Sequence, residues 1–328
     1  MNILITSAGR RVNLVRFFKE ALMKNDIDGQ VIVANNDKYA ASVYEADKSY
    51  LVPLVTYEGY IDRIIDICKD NDVDVLISLI DPELPVLADN RERFSQLGVK
   101  VIISSPETVE ICFDKYKTAE FFKKAGVPYI KTYRDKERAI EALENGEIDY
   151  PLIVKLAKGS ASKGLYKIEN KDDLNNSPIE EDEFIVQQFI EGDEYGVDVF
   201  INKAGELVSL FAKKKIAMRA GETDKAVSIK DDKLLELVKK LANKLDAYGP
   251  LDIDCFKVEN GEFLFSEINP RFGGGYPLAY SAGVDFMDMI VKMVNGVDLE
   301  KRLEDYEEGV YMFKYNGLQI VDETEIIN

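Results

Sequence analysis

Short apolar runs and helical-period stripes alternate over the first third of this chain. Ile3-Thr6, Val31-Ala34, Val73-Ile80 and Val101-Ser104 are apolar, mostly β-branched runs that read as strands. Between them Val12, Val15, Phe18 and Leu22, then Ile61, Ile64, Ile65 and Cys68, recur at helical spacing. Strands alternating with helices predict a parallel sheet covered on both faces, with ligands beyond the strand C-termini. Those ends carry Ser7-Ala8-Gly9-Arg10-Arg11, Asn35-Asn36-Asp37 and Asp81-Pro82-Glu83.

The pattern changes near residue 111. The stretch 112–125 reads as one amphipathic helix ended by Gly126 and Pro128. A strand near Ile130-Tyr133, a helix over Lys136-Glu144 and the strand Leu152-Leu156 follow, then a polar segment, 170–182, with a short surface helix and loop. Phe184-Phe189, Val197-Asn202 and Leu207-Ala212 read as an antiparallel meander, and Lys233-Leu245 and Asp285-Val294 as helices.

Tyr248 to Arg271 reads as two strands joined at Asn260-Gly261, a dipeptide suited to a two-residue type I′ turn. Such a turn sets Glu259 against Glu262, Asp254 against Glu267 and Asp252 against Asn269, all four of the inner residues on one face. Opposed carboxylates repel. Two readings fit: a hard cation such as Mg²⁺ between oxygen donors, or a solvated acidic face.

Composition narrows the chemistry. With 42 basic and 60 acidic residues the net charge is −18, which argues against nucleic acid and anionic membrane as general partners. No signal peptide or membrane span is expected, and three scattered cysteines predict a reduced, cytoplasmic protein. The 328 residues contain no histidine, so histidine triads and histidine-ligated zinc are excluded. The first loop has one glycine rather than the three of a dinucleotide fingerprint, which disfavours a Rossmann oxidoreductase.

Lys155 lies in an apolar strand and is followed by the small-residue, lysine-bearing loop 157–164. Backbone N–H groups in such a loop can approach an anion, although a snorkelling lysine before a surface turn fits as well. Arg10 and Arg11, and Arg219 after the Lys213-Lys214-Lys215 run, read either as anchors for an anionic substrate or as solvated basic residues.

In order along the chain, Asp114-Lys115, Lys155 with its loop, Gln187 to Glu194 and Glu267-x-Asn269-Pro270-Arg271 resemble the ATP-grasp superfamily, nearest to carbamoyl phosphate synthetase halves and small carboxylate–amine ligases. The resemblance implies an α/β fold: a parallel-sheet pre-ATP-grasp domain, 1–110, then a two-subdomain α+β ATP-grasp domain divided into 111–183 and 184–328. It implies ATP held by Lys115, Lys155, Ser160, Ser162, Gly164, Gln187, Gln188, Ile190 and Glu194. Mg²⁺, with Mn²⁺ as an alternative, falls to Asp254, Glu267 and Asn269, and the catalytic roles to Arg271 and Lys155. Arg10, Arg11, Arg219, Glu222 and Gly274 are the substrate-site residues. Leu156 stands where the family often has proline, and Gln187 where glutamate is commoner. The activity implied is ligation of a small-molecule carboxylate to an amine through an acyl phosphate, with a homodimer as an admissible assembly. A phosphotransferase without an amine step, or a non-catalytic MgATP-binding subunit, remain as alternatives.

Overall fold

The computed structural model describes residues 1–159, 165–177 and 183–327. The first sheet is parallel throughout: β1 (Asn2–Thr6), β2 (Val31–Asn35), β3 (Lys48–Leu51), β4 (Val73–Ser78) and β5 (Lys100–Val101), in the order β3-β2-β1-β4-β5. Helices Val12–Lys24 and Tyr60–Asp70 present their apolar stripes to its two faces, which lie in different core clusters. The half-exposed edge strand β3 carries too short a pattern to be read from sequence. The last strand is also shorter than expected. Past Val101 the chain turns, and Ser104 and Ser105 serve elsewhere: Ser104 Oγ accepts from Tyr248 N at 3.1 Å, and Ser105 caps the helix Pro106–Phe113.

The stretch expected as one helix over 112–125 belongs to two helices, Pro106–Phe113 and Lys115–Ala125. They break at Asp114, whose carboxylate accepts from the N–H groups of Tyr116 and Lys117 as an N-cap. Gly126, at φ 69°, closes the second helix in the left-handed conformation expected of it.

A small antiparallel sheet follows, of β6 (Thr132–Tyr133), β7 (Leu152–Leu156), β8 (Tyr166–Ile168) and β9 (Phe184–Gln188), ordered β6-β9-β7-β8. The expected three-strand meander is therefore split. Its first strand, β9, pairs with β7, because Val186 belongs to a separate core with Leu152, Val154 and Leu174.

The third sheet is built from β10 (Asp193–Ile201), β11 (Leu207–Arg219), β12 (Glu222–Ile229), β13 (Gly249–Lys257), β14 (Phe263–Asn269), β15 (Arg302–Leu303) and β16 (Tyr311–Phe313). Its antiparallel order is β14-β13-β10-β11-β12-β16, with β15 parallel to β11. One apolar core runs from this sheet to a face of the first sheet. Lys24 and Asn25 at the end of the first helix bond Asp285 and Asp288 at 3.2 and 2.8 Å, and Phe17 stacks on Tyr280 at 3.7 Å between centroids.

The β13–β14 connection differs from the expected turn. Val258 N bonds Glu262 O at 3.0 Å and Gly261 N bonds Val258 O at 2.8 Å, so the loop has three residues. Gly261, at φ 79°, takes the left-handed position of that loop type, and Glu259 does not face Glu262. One extra residue in the loop should shift the register. A bulge between Asp254 and Cys255 shifts it back, so that Asp254 pairs with Glu267 and Asp252 with Asn269 after all.

Candidate functional site

Asp254 and Glu267 stand directly across from one another, and a lysine meets each. Lys215 Nζ lies 2.7 Å from Asp254 Oδ1 and 2.7 Å from Glu194 Oε1. Gly196, opposite Asp254, leaves the room this needs: a Cβ there would come within 3.1 Å of Lys215 and 3.3 Å of Asp254. Burial, opposed by Lys215 and reinforced by Asp252 and Glu194, pushes Asp254 up to about 7. Glu267 goes the other way. Burial works against its charge, but Lys155, whose Nζ is 3.4 Å from Oε1, and Lys115 outweigh it and hold the carboxyl below its usual range. The donor set of Asp254, Glu267 and Asn269 is all oxygen, which fits a hard divalent cation. Among the described residues, no three or more Asp, Glu, Cys or His side chains are grouped to hold a metal by themselves.

The lysines reach the hairpin through backbone pairing. Ile130 N bonds Phe265 O and Phe265 N bonds Pro128 O, at 3.0 and 3.1 Å, which fastens the chain leading into the small sheet to the β14 edge. Lys115 N bonds Ala157 O at 3.0 Å, and Lys115 Nζ bonds Gly159 O at 2.7 Å. The Asp114-Lys115 motif is thereby joined to the entrance of the lysine-bearing loop. Ser160, Ser162 and Gly164 lie outside the described residues.

On β9 the buried Gln187 donates through Nε2 to Thr132 Oγ1 at 2.9 Å. Gln188 N donates to Lys131 O at 3.0 Å, which leaves only its carbonyl for a nucleotide. Ile190 follows at the end of the strand. Glu194, expected among the ATP-binding residues, is bonded to Lys215.

Two elements of this centre were named in the sequence but not assigned to it. The first is the pair of buried lysines. Strand alternation turns Lys213 and Lys215 inward and leaves Lys214 to pair with Asp193 at 2.5 Å, so the basic run is not a surface feature. Lys213 Nζ lies 2.6 Å from Asp198 Oδ2 and 3.5 Å from Asp252 Oδ1. The second is Asp81, in the turn after β4, whose Oδ2 accepts from Arg271 Nη2 at 3.0 Å. Among the described residues, Arg271 Nε and Asp81 Oδ1 are buried without a hydrogen-bond partner. Buried groups of this kind are costly unless something completes them.

All five expected substrate residues, Arg10, Arg11, Arg219, Glu222 and Gly274, line one cleft. Arg11 Nη1 donates to Leu79 O at 2.7 Å and to Phe272 O at 3.3 Å, and its Nε meets Glu222 at 3.3 Å. Burial and the nearby Arg271 lower its pKa. Behind this loop the buried Glu83 accepts from the hydroxyls of Tyr60 and Ser78, with Thr6 and Ser7 also bonding it. Burial pushes Glu83 up to about 7.

This arrangement of a parallel sheet, a small antiparallel sheet and a large one around lysines and an acidic hairpin has counterparts. Residues 3–102 match the PylC-like N-terminal domain, and residues 112–275, half of the chain, match the ATP-grasp domain. The chain belongs to the ATP-grasp family. It is 27% identical over 320 residues to pyruvate carboxylase of Bacillus subtilis, covering 89% of this chain and 26% of that one. It is 20% identical over 287 residues to the arginine-specific large chain of carbamoyl phosphate synthase from the same organism, covering 82% and 27%. The chain thus spans about a quarter of the length of these curated relatives. Among solved structures, the biotin carboxylase domain dimer of Hydrogenobacter thermophilus 2-oxoglutarate carboxylase, in complex with MgADP, ADP and bicarbonate, superposes with a TM-score of 0.77 at 20% identity, covering 94% of this chain and 73% of that one. N5-carboxyaminoimidazole ribonucleotide synthetase from Thermotoga maritima gives 0.68 at 22% identity, with 92% and 78% covered. Among the described residues, no helix is long and apolar enough to cross a membrane.

Proposed function

We propose that this chain is an ATP-dependent ligase that activates a small-molecule carboxylate as an acyl phosphate and joins it to an amine, releasing ADP and phosphate. The observation that carries this reading is the meeting of Lys155 with Glu267 at 3.4 Å, which brings a phosphate-binding lysine from the small sheet to the acidic hairpin of the large one. Asp254, Glu267 and Asn269 would hold Mg²⁺, or Mn²⁺ in its place. Bound there, the ion supplies neutralisation of charge on the transferring phosphoryl group. Lys115 and Lys155 hold phosphate oxygens. Gln187, the Gln188 carbonyl and Ile190 take the adenine edge. Glu194 turns from Lys215 to the ribose. Arg271, with its Nε still unpartnered among the described residues, takes an oxygen of the acyl phosphate. No protein nucleophile is required, in keeping with a chain that lacks histidine: the work is positioning and electrostatics.

The working units follow as 1–110, 111–183 and 184–328, acting in the cytoplasm on small molecules, with a homodimer as the assembly to test. The deciding experiment is calorimetric titration of a non-hydrolysable ATP analogue with and without Mg²⁺, on the wild type and Glu267→Gln. Binding that needs Mg²⁺ and fails in the variant is the expected result. A wild type that binds no nucleotide under either condition would sink the reading.

A further inference from the structure

The cleft of about 800 Å³ between the first loop and the C-terminal segment carries a charge imbalance that ATP does not explain. One wall is the loop with Arg10 and Arg11; the facing wall is formed by residues 312–319, beyond the end of the ATP-grasp match at 275. Two of its cations have a carboxylate each: Arg219 meets Asp224 at 2.9 Å, and Arg16 meets Glu45 at 2.8 Å. The other three share one acid. Glu222 lies 3.2 Å from Arg10 Nη2, 3.3 Å from Arg11 Nε and 3.2 Å from Lys314 Nζ. Among the described residues, three positive charges in ion-pair contact with one carboxylate leave two without an ion pair of their own, inside a protein whose net charge is −18. Holding like charges together in a partly buried place is unfavourable, and an anion relieves it.

The cleft is apolar as well as cationic. Phe17, Pro277, Met312, Phe313 and Tyr315 line it. Its lining includes Gly273 and Gly274, which adjoin Phe272, whose carbonyl accepts from both Arg11 and Arg271. A ligand seated here can therefore extend toward the reacting centre while its charged end stays between the two walls.

We propose that this cleft takes a substrate with a dianionic group, a phosphomonoester or a pair of carboxylates, on an aromatic or aliphatic body, and that Arg10 and Lys314 set the requirement for the second charge. That the bound molecule is a substrate rests on the ligase reading; that a dianion binds does not. Lys314 follows strand β16 at the edge of the large sheet and is held by its backbone N–H to Asp224 O at 2.9 Å, so its ammonium is placed across from Arg10 by the sheet itself.

The test is equilibrium titration at low salt, with MgADP saturating the nucleotide site, of three probes sharing a benzene ring: phenyl phosphate, phthalate and benzoate. Phenyl phosphate or phthalate should bind about tenfold or more tightly than benzoate, the scale of one charge-assisted contact. The preferred probe of the two distinguishes phosphate from dicarboxylate. Lys314→Met and Arg10→Gln should each bring the dianion down to the affinity of benzoate and leave benzoate unchanged. Lys314→Arg should restore most of the difference, which a merely structural role would not require. Equal affinity for all three probes, no binding of any probe, or an unchanged dianion preference in both variants would overturn the proposal. Nucleotide binding is measured separately with the ATP analogue. Its loss would remove the ligase reading, and the probes titrated without ADP would still decide on the dianion.

Discussion

Arg271 Nη2 lies 3.0 Å from Oδ2 of Asp81, joining the end of the parallel sheet to the acidic hairpin across 190 positions of sequence. Nη1 reaches Asp252 Oδ2 at 3.4 Å. Burial opposes the charge of the guanidinium, but Asp81 and Asp252 outweigh it, so Arg271 stays cationic and fixed in direction. Asp81 is a positioning residue in this arrangement. Asp81→Asn should lower kcat by roughly 10–100-fold while the affinity for MgATP stays within about twofold. Steady-state kinetics beside nucleotide titration checks it; unchanged kcat would detach Asp81 from the chemistry.

Lys213 is fully buried between Asp198 and Asp252. Removing its charge takes the ion-pair partner from the buried Asp198 and leaves Asp252 to Arg271. Lys213→Met should cost about 3–5 kcal/mol of stability. Adding Asp198→Asn to that variant should recover part of the loss, because the Asp198 charge then goes. Denaturant unfolding of the single and double variants measures both. A double variant no more stable than the single one would show that the pair is not coupled as described.

Glu83 gives the fold a pH dependence of known sign. Its folded pKa, raised to about 7 by burial, lies above the ordinary carboxylate value. The protonated form is therefore favoured in the folded state. This contribution is complete below about pH 4 and is lost as pH rises through 7. Glu83→Gln imitates the protonated acid, so its Tm relative to wild type should increase by at least about 3 °C between pH 5 and pH 8. A difference independent of pH, measured by scanning calorimetry, would contradict the assignment.

Gly273 faces the Asp252 carboxylate so closely that a Cβ would come within 2.5 Å of it. Because Lys213 and Arg271 hold that carboxylate, it has little freedom to retreat. Gly273→Ala should destabilise by about 1–3 kcal/mol and displace Arg271, lowering turnover as well. At Gly274 a Cβ would meet Cγ and Cβ of Glu222 at 3.0 and 3.1 Å, and Arg10, Arg11 and Lys314 hold that side chain, so Gly274→Ala should disturb the cleft as well as cost stability. Thermal melts and substrate KM for the two variants separate these effects.

Much of the architecture was readable because periodicity follows burial. The helix Lys136–Glu144 and the strand Leu152–Leu156 have the bounds their patterns predict. What escaped was set by partners distant in sequence. The apolar run of β9 shows that it is a strand but not which sheet will pair with it. Lys213 and Lys215 look like surface charge until the alternation of β11 is placed against Asp198, Asp252 and Asp254. Asp114 was different: the N-cap that divides two helices was available in the sequence, in a polar residue interrupting an otherwise apolar stripe. For the candidate site, the acids and lysines were legible as motifs and Asp81 as part of a strand-end loop, whereas the pairing of Asp81 with Arg271 and the place of Lys314 are identified only by what they reach.

The three-residue loop and the bulge of the β13–β14 hairpin form a length-matched pair. Ser266 is the residue of β14 that the bulge leaves without a partner, so the hairpin carries one spare position. Losing Ser266, or any one residue from Phe263 to Phe265, would close the bulge and still leave Glu267 across from Asp254, whereas a second deletion there would slide β14 and turn Glu267 to the opposite face of the sheet.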